Sequence, residues 1–351
     1  MNERQNEILQ LLKKHAMMKI HELSEQLNVS PATIRRDLTE LSKAGVERVG
    51  GAAFLTKPSL PGDRTTDIPS DNQVGCIVSV SISSKHMYPY FSPILEGIEK
   101  GLAKFGYSLA FMHNLDDIQN EAILQKMVHD YKHIRGMIVV EGIKPEVYEL
   151  IKKHFPYIVG IDISDSSVPV IAYDRVAAAS SAVRHLLDQG HKKIGFIGGA
   201  GLTGEMEREK RYRGYKLALQ EAGLDLNPNW VINAEWDVNK SYSGMLDMFK
   251  RNQDLPTAMF SASDMMAMPA MRAATEIGLR IPEDMAFIGL DNIELSQYTS
   301  PPLSSIHIPK AEIGMVAAKT LIDYLQGAYP LPFKMLMPYQ VIARQSSTFQ
   351  R

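Results

Sequence analysis

The sequence predicts an α/β protein in which a small helical module precedes a large, two-lobed region of doubly wound parallel sheets. Three observations point there. The first fifty residues hold three short amphipathic segments close together. From Val74 onward, short apolar runs alternate with helical periodicity. A stretch with three prolines and no periodicity divides the two regions. At 351 residues the chain exceeds one ordinary domain, and its 45% hydrophobic content can fill a sizeable core.

Within the first module, Ile8, Leu9, Leu11 and Leu12 form the apolar side of one helix, and Ile20, Leu23 and Leu27 that of a second. Asn28 and Val29 make a tight turn into a third, which is helix-turn-helix spacing. The third segment reads VSPATIRRDL over residues 29–38. Ser30 suits the N-cap, and Pro31 the first helical position, where its missing N–H costs nothing. Ile34, Leu38 and Leu41 make a narrow apolar stripe. Ala32, Arg36, Thr39 and Lys43 lie opposite it, with Thr33 and Arg35 on the flanks. A helix of this kind can enter a major groove, where arginine reads guanine or holds phosphate and threonine meets phosphate or a thymine methyl. The plain alternative is a solvated surface helix. The neighbouring segments tip the balance, because residues 46–49, Gly50-Gly51 and residues 52–55 read as a hairpin wing that includes Arg48.

Charge supports nucleic-acid binding only locally. Residues 1–50 hold eight Lys/Arg against seven Asp/Glu, and the remainder hold 30 against 33, which gives the net −2 of the chain. Binding to double-stranded DNA then depends on a few placed cations and on two modules acting at once. The single Cys76 excludes an internal disulfide and fits a reducing cytoplasm. The N-terminus reads as a charged amphipathic helix and not as a signal peptide. No run of about 18 apolar residues calls for a membrane. The 19 methionines fall at core-like helical positions.

Residues 56–73, with prolines at 58, 61 and 69, are expected to be a linker. Beyond it, VGCIVSVSI, SLAFM, GMIVV, YIVGI, KKIGFIG, AMFSA and MAFIGL are strand-like runs separated by helical spacing. Continuous Val/Ile runs suit strands buried on both faces of parallel sheets. About 270 residues suit two such lobes, whose ligands bind at the carboxyl ends of the strands in the cleft between them.

Two resemblances sharpen this reading. RQNEILQLLKKH, IHELSEQLNVSPATIRRDLTEL and RVGGA resemble the winged helix of the DeoR family of bacterial repressors over roughly residues 3–54, although VERVGG is shorter than the usual stretch there. AYDRVAAASSAVRHLLDQGHKKIGFIGG, KRYRGYKLALQEAGL, SASDMMAMPAMRAATEIGLRIPEDMAFIGLDN and YTSPPLSSIHIPKAEIGMVAAKTLIDYL resemble the effector domain of the LacI/GalR repressors. That fold is shared with periplasmic sugar-binding proteins, and the likeness covers roughly residues 74–345. The resemblances imply a winged helix-turn-helix over residues 1–55, a linker over 56–73, and an effector and dimerisation domain over 74–345. Its N-lobe would span about 74–173 and 302–333, and its C-lobe about 174–301 and 334–345.

Site residues follow from the second resemblance. Arg211 stands before the RGY turn, where the family's arginine forks onto ligand oxygens. Asp291 ends the MAFIGL strand, where a carboxylate accepts sugar hydroxyls. Trp236 falls where some members stack an aromatic ring on the ligand. Asp162 follows the YIVGI strand, and Ser263 occupies a position where the family often has an amide. Tyr88, Tyr90 and Phe91 follow the first strand and are expected to cover the ligand. Each has a plainer alternative: a surface arginine, a turn aspartate, a loop tryptophan, a core aromatic.

Two motifs point elsewhere. GAGLTG at residues 199–204 formally matches a dinucleotide loop, but Glu221 lies inside a helix and Glu205, Glu207 and Glu209 would crowd a pyrophosphate. His129 and His133 share a helical face without further metal-ligating partners. The expectation is therefore a cytoplasmic, homodimeric transcriptional repressor, neither an enzyme nor a holder of metal or cofactor. It would bind a DNA operator under control of a sugar or sugar phosphate effector. The alternatives are a cytoplasmic sugar-binding protein and a nucleotide-dependent enzyme using GAGLTG.

Overall fold

The computed structural model describes residues 3–15, 17–41, 46–49, 52–55, 72–78, 88–114, 121–200, 204–251, 254–329 and 332–348. The chain forms two compact units, residues 1–67 and 68–351. The expected linker falls almost wholly outside the described residues, as do Lys43 and residues 79–87.

The first unit is a winged helix. Helices α1 (Glu3–His15), α2 (Ile20–Gln26) and α3 (Pro31–Leu41) surround a core of Ile8, Leu12, Ile20, Leu23, Ile34, Leu38, Leu41 and Val46. The expected hairpin is present, with β2 (Val46–Val49) antiparallel to β3 (Ala52–Leu55). The sequence reading missed the three-residue strand β1 (Met17–Lys19), which pairs with β3 and completes a three-stranded sheet. Three residues are too few to display a periodicity.

The second unit has two six-stranded sheets. One runs in the order β14 (Lys334–Met337), β8 (Val170–Tyr173), β7 (Tyr157–Ile161), β6 (Gly136–Val140), β4 (Gln73–Val78), β5 (Ser108–Asn114). The other runs β10 (Val231–Asn233), β9 (Ile194–Gly198), β11 (Ala258–Ser261), β12 (Ala286–Asp291), β13 (Ser304–His307), β15 (Gln340–Ile342). Among the described residues, all pairings in these two sheets are parallel except β13 with β15. The central strands β6, β9, β11 and β12 are buried along their whole length, as their unbroken apolar runs require.

Sheet membership corrects the expected lobe boundaries. Residues 304–307 pair with β12 and belong to the second lobe, not the first. Residues 334–337 pair with β8 and belong to the first lobe, not the second. The chain therefore changes lobes between β13 and the following helix, and again between β14 and β15. Neither SSIH nor KMLM is a continuous apolar run that a sequence would mark as a buried strand, and the sheet each joins is set by long-range packing.

The helix that follows β13, Lys310–Leu325, packs against α4 (Tyr88–Ala103) across glycines. A Cβ on Gly97 would stand 2.1 Å from the Ala311 carbonyl oxygen, and one on Gly314 2.1 Å from that of Ile94. The first lobe's helical layer depends on this close approach.

Candidate functional site

In the first unit, α3 begins as the sequence predicts. The Thr33 N–H donates to the Ser30 hydroxyl at 3.2 Å, and the hydroxyls of Ser30 and Thr33 lie 2.9 Å apart. Ile34, Leu38 and Leu41 are buried, while Ala32, Arg35, Arg36 and Thr39 are exposed. Thr39 donates its hydroxyl to the Arg35 carbonyl at 2.8 Å. Arg48 lies on β2 of the wing. Asp37 is a feature that the sequence reading passed over. It is buried on the apolar side of α3, where Arg4 of α1 donates to it through Nε at 2.6 Å and through a terminal nitrogen at 3.3 Å. Gln5 donates to Glu40 at 2.6 Å. These bonds fix the angle at which α1 supports α3.

In the second unit, the carboxyl ends of both sheets gather the polar groups. Helix α7, counting the helices Glu121–Asp130 and Pro145–His154 as α5 and α6, spans Arg175–Asp188 and starts directly after β8. Asp174 caps it, accepting from the Ala177 N–H at 2.9 Å. Arg175, its first residue, forms an ion pair with Glu141 at the end of β6 and stands 3.4 Å from Asp162 at the end of β7. Arg211, on α8 (Lys210–Glu221), bonds Glu209 at 3.2 Å. Its guanidinium lies 4.7 Å from the centre of the Trp236 ring, so the indole face supports this arginine.

Backbone conformation marks the same places. Among the described residues, Glu141, Asp162, Glu235, Trp236, Asp291 and Asn292 have φ of 64°, 56°, 50°, 61°, 113° and 47°. All six lie at or just beyond strand ends, and left-handed conformations at such residues concentrate at functional sites. The buried polar atoms concentrate there too. Tyr90 Oη, Asp162 Oδ2, Tyr173 Oη, Arg175 Nε, Arg211 Nε and Asp291 Oδ1 are buried without a hydrogen-bond partner. Donors and acceptors in one region, already desolvated and unpaired, are what a polyhydroxylated ligand satisfies.

Electrostatics couple the two lobes here. Burial pushes the Asp291 carboxyl up to about 7, opposed by Arg211, Lys310 and Arg175. Burial likewise raises Asp264, to about 8, with Asp291 adding to the effect. Asp162 is raised by burial and held back by Arg175. Lys310 donates to the Asp291 carbonyl, and burial lowers its pKa.

Of the expected ligand residues, Asp162, Arg211, Asp291 and Tyr90 contribute buried atoms to this cluster, and Trp236 underlies Arg211. Two take other places. Phe91 is buried in the first lobe's core, edge-on to Tyr90 at 5.0 Å. The Ser263 hydroxyl caps the helix Asp264–Glu276, accepting from the Met266 N–H at 3.3 Å. The first helical residue of α4 is Tyr88. In the GAGLTG loop, Gly199 backs Trp236, while residues 201–203 lie outside the described residues. The sequence reading missed Glu141, Tyr173 and Arg175. Glu141 was findable, because it follows GMIVV as Asp291 follows its own buried strand.

Comparison with known proteins agrees with this fold. Residues 183–347 match the model of the periplasmic binding protein-like domain, and residues 4–58 that of the DeoR-like helix-turn-helix domain. The chain is 30% identical over 283 residues to the HTH-type transcriptional repressor PurR of Aliivibrio salmonicida, covering 78% of this chain and 80% of that one. It is 30% identical over 271 residues to the ribose operon repressor of Haemophilus influenzae, covering 75% and 77%. Among solved structures, the transcriptional regulator CelR–cellobiose complex superposes with a TM-score of 0.69 at 21% identity, over 92% of this chain and 94% of that one. These relatives are transcriptional regulators and not enzymes.

Proposed function

The chain belongs to the LacI/GalR-type transcriptional regulators and carries a DeoR-like helix-turn-helix at its N-terminus, and from that premise we propose how it works. It is a sequence-specific DNA-binding regulator, and we read it as a cytoplasmic repressor. Helix α3 enters the major groove with Ala32, Arg35, Arg36 and Thr39, its N-terminal turn at Ser30 and Thr33 abutting the backbone. Lys43 and the wing's Arg48 add phosphate contacts. A carbohydrate or sugar phosphate binds between the lobes, held by Arg211, Asp162, Asp291 and Tyr90 and covered by Tyr88. The cellobiose of the CelR complex supports a sugar as effector.

The observation that carries this reading is the set of six buried, unpartnered polar atoms at the carboxyl strand ends. A head with net charge +1 gains specificity by acting in pairs, so we propose a homodimer on a two-fold operator. The effector shifts the equilibrium between two lobe arrangements through its differential affinity for them. Operators selected from random duplexes by the full chain, followed by sedimentation with and without DNA, test this proposal. Two half-sites bound by two chains is the expected result. A monomer at micromolar concentration with equal affinity for half-sites at any separation contradicts it.

A further inference from the structure

Arg175 faces two carboxylates, Glu141 and Asp162, and Arg211 bonds Glu209. The buried or nearly buried ionisable groups here are Glu141, Asp162, Glu209, Asp264 and Asp291 against Arg175, Arg211 and Lys310. Burial raises Asp264 to about 8 and Asp291 to about 7, so at neutral pH the excess of carboxylate over cation lies at Arg175, which faces both Glu141 and Asp162. Lys210 adds one cation, but it sits at the exposed rim. Lys310 directs its ammonium at the carbonyls of Asp291 and Ile308. A phosphate ester brings close to two further negative charges into such a site. At the carboxyl ends of β6 and β7, Arg175 is already committed to two carboxylates.

Arg175 is the distinctive member of this set. It stands at the crossover between lobes, on the first residue of α7, yet its side chain reaches back to Glu141 and Asp162. Both carboxylates occupy strained left-handed backbone at the ends of adjacent strands, β6 and β7. Arg175 Nη2 stands 3.4 Å from Asp162 Oδ2, and Arg175 Nε, Asp162 Oδ2, Tyr90 Oη and Tyr173 Oη are all buried without a hydrogen-bond partner. One hydroxyl of a sugar donates to the carboxylate while accepting from the guanidinium, and a phosphate oxygen at neutral pH only accepts. We propose that Glu141, Asp162 and Arg175 form a specificity-determining fork that selects an unphosphorylated polyol and rejects its phosphate ester. This rests on the reading of the cleft as the effector site.

Calorimetric and thermal-shift titrations of the full chain with matched pairs test it: D-ribose and D-ribose 5-phosphate, D-glucose and D-glucose 6-phosphate, and cellobiose with its 6-phosphate. In any pair that binds, the free sugar is expected to bind at least tenfold more tightly than its ester. Glu141→Gln, which removes one negative charge beside Arg175, should narrow that ratio at least fivefold. Arg175→Gln should weaken the free sugar at least tenfold with the folded baseline of the melt intact. Tighter binding of the ester by the unmodified chain, or a ratio unmoved by Glu141→Gln, overturns the fork while leaving the cleft in place. Undiminished binding in both Arg175→Gln and Arg211→Ala overturns the cleft reading itself. Silence across all three pairs counts against both.

Discussion

The Arg211 guanidinium lies 4.7 Å from the centre of the Trp236 indole, and that indole is held from behind by a residue with no side chain. A Cβ on Gly199 would stand 2.6 Å from Trp236 Cδ1 and 2.7 Å from its backbone nitrogen. Gly199, Trp236 and Arg211 form a stack in which each layer positions the next. Gly199→Ala should therefore displace the indole and weaken effector binding at least tenfold, with a small change in melting temperature. Trp236→Phe should retain most of the affinity, and Trp236→Ala should lose it. Isothermal titration of the three variants decides the point, and wild-type affinity in Gly199→Ala would refute the stack.

The head should separate from the cleft in function. Replacing Arg35 and Arg36 together by alanine should weaken operator binding by about 1–3 kcal/mol for each arginine that reads a base edge. The slope of affinity against salt should become shallower for each arginine that instead holds a phosphate. Effector affinity should not change. An unaltered gel shift with the double variant would reject α3 as the reading helix.

The sequence made the architecture plain where a physical period was long enough to read. The α3 stripe of Ile34, Leu38 and Leu41, the Ser30 cap, and the buried runs of β6, β9, β11 and β12 all appear as expected. Strands 304–307 and 334–337 are not among the runs that read as strands, and the lobe each joins is decided by long-range packing. Arg211, Asp162 and Asp291 could be named as candidates because each follows or precedes a recognisable motif. Phe91 and Ser263 were candidates too, and a sequence does not show that one packs in a core and the other caps a helix. Arg175 was hidden for another reason. It sits in a helix that belongs to one lobe and serves carboxylates of the other.

Buried carboxyls give the site a pH signature. Asp291 rises from 3.8 to about 7, so the folded chain holds a proton that the unfolded chain releases. The associated stability is fully present below about pH 4 and is lost as pH rises through 7. Asp291→Asn keeps the neutral form at every pH. Its melting temperature should match the unmodified chain near pH 4 and exceed it progressively toward pH 8. The difference at pH 8 should be roughly 2–4 kcal/mol. A constant offset across that range would show that Asp291 does not titrate there.

The helix pair of the first lobe offers a test of packing alone. Gly97→Ala drives a methyl group against the Ala311 carbonyl, and Gly314→Ala one against that of Ile94. Each should cost about 1–3 kcal/mol in urea unfolding through overpacking. An unchanged midpoint would mean that the helices separate freely.

The central claim is that a sugar held by Arg211 in the cleft governs the affinity of the head for DNA. Fluorescence anisotropy of a labelled operator, titrated with the full chain and with Arg211→Ala, measures it directly when each is run with and without the sugar that binds in the matched panel. The account predicts that sugar changes operator affinity of the unmodified chain by about 5–150-fold, the span of ordinary allosteric coupling. It predicts that Arg211→Ala binds the operator equally well without sugar and ignores the sugar when it is added. An equal response to sugar in both proteins, or none in either, would contradict it.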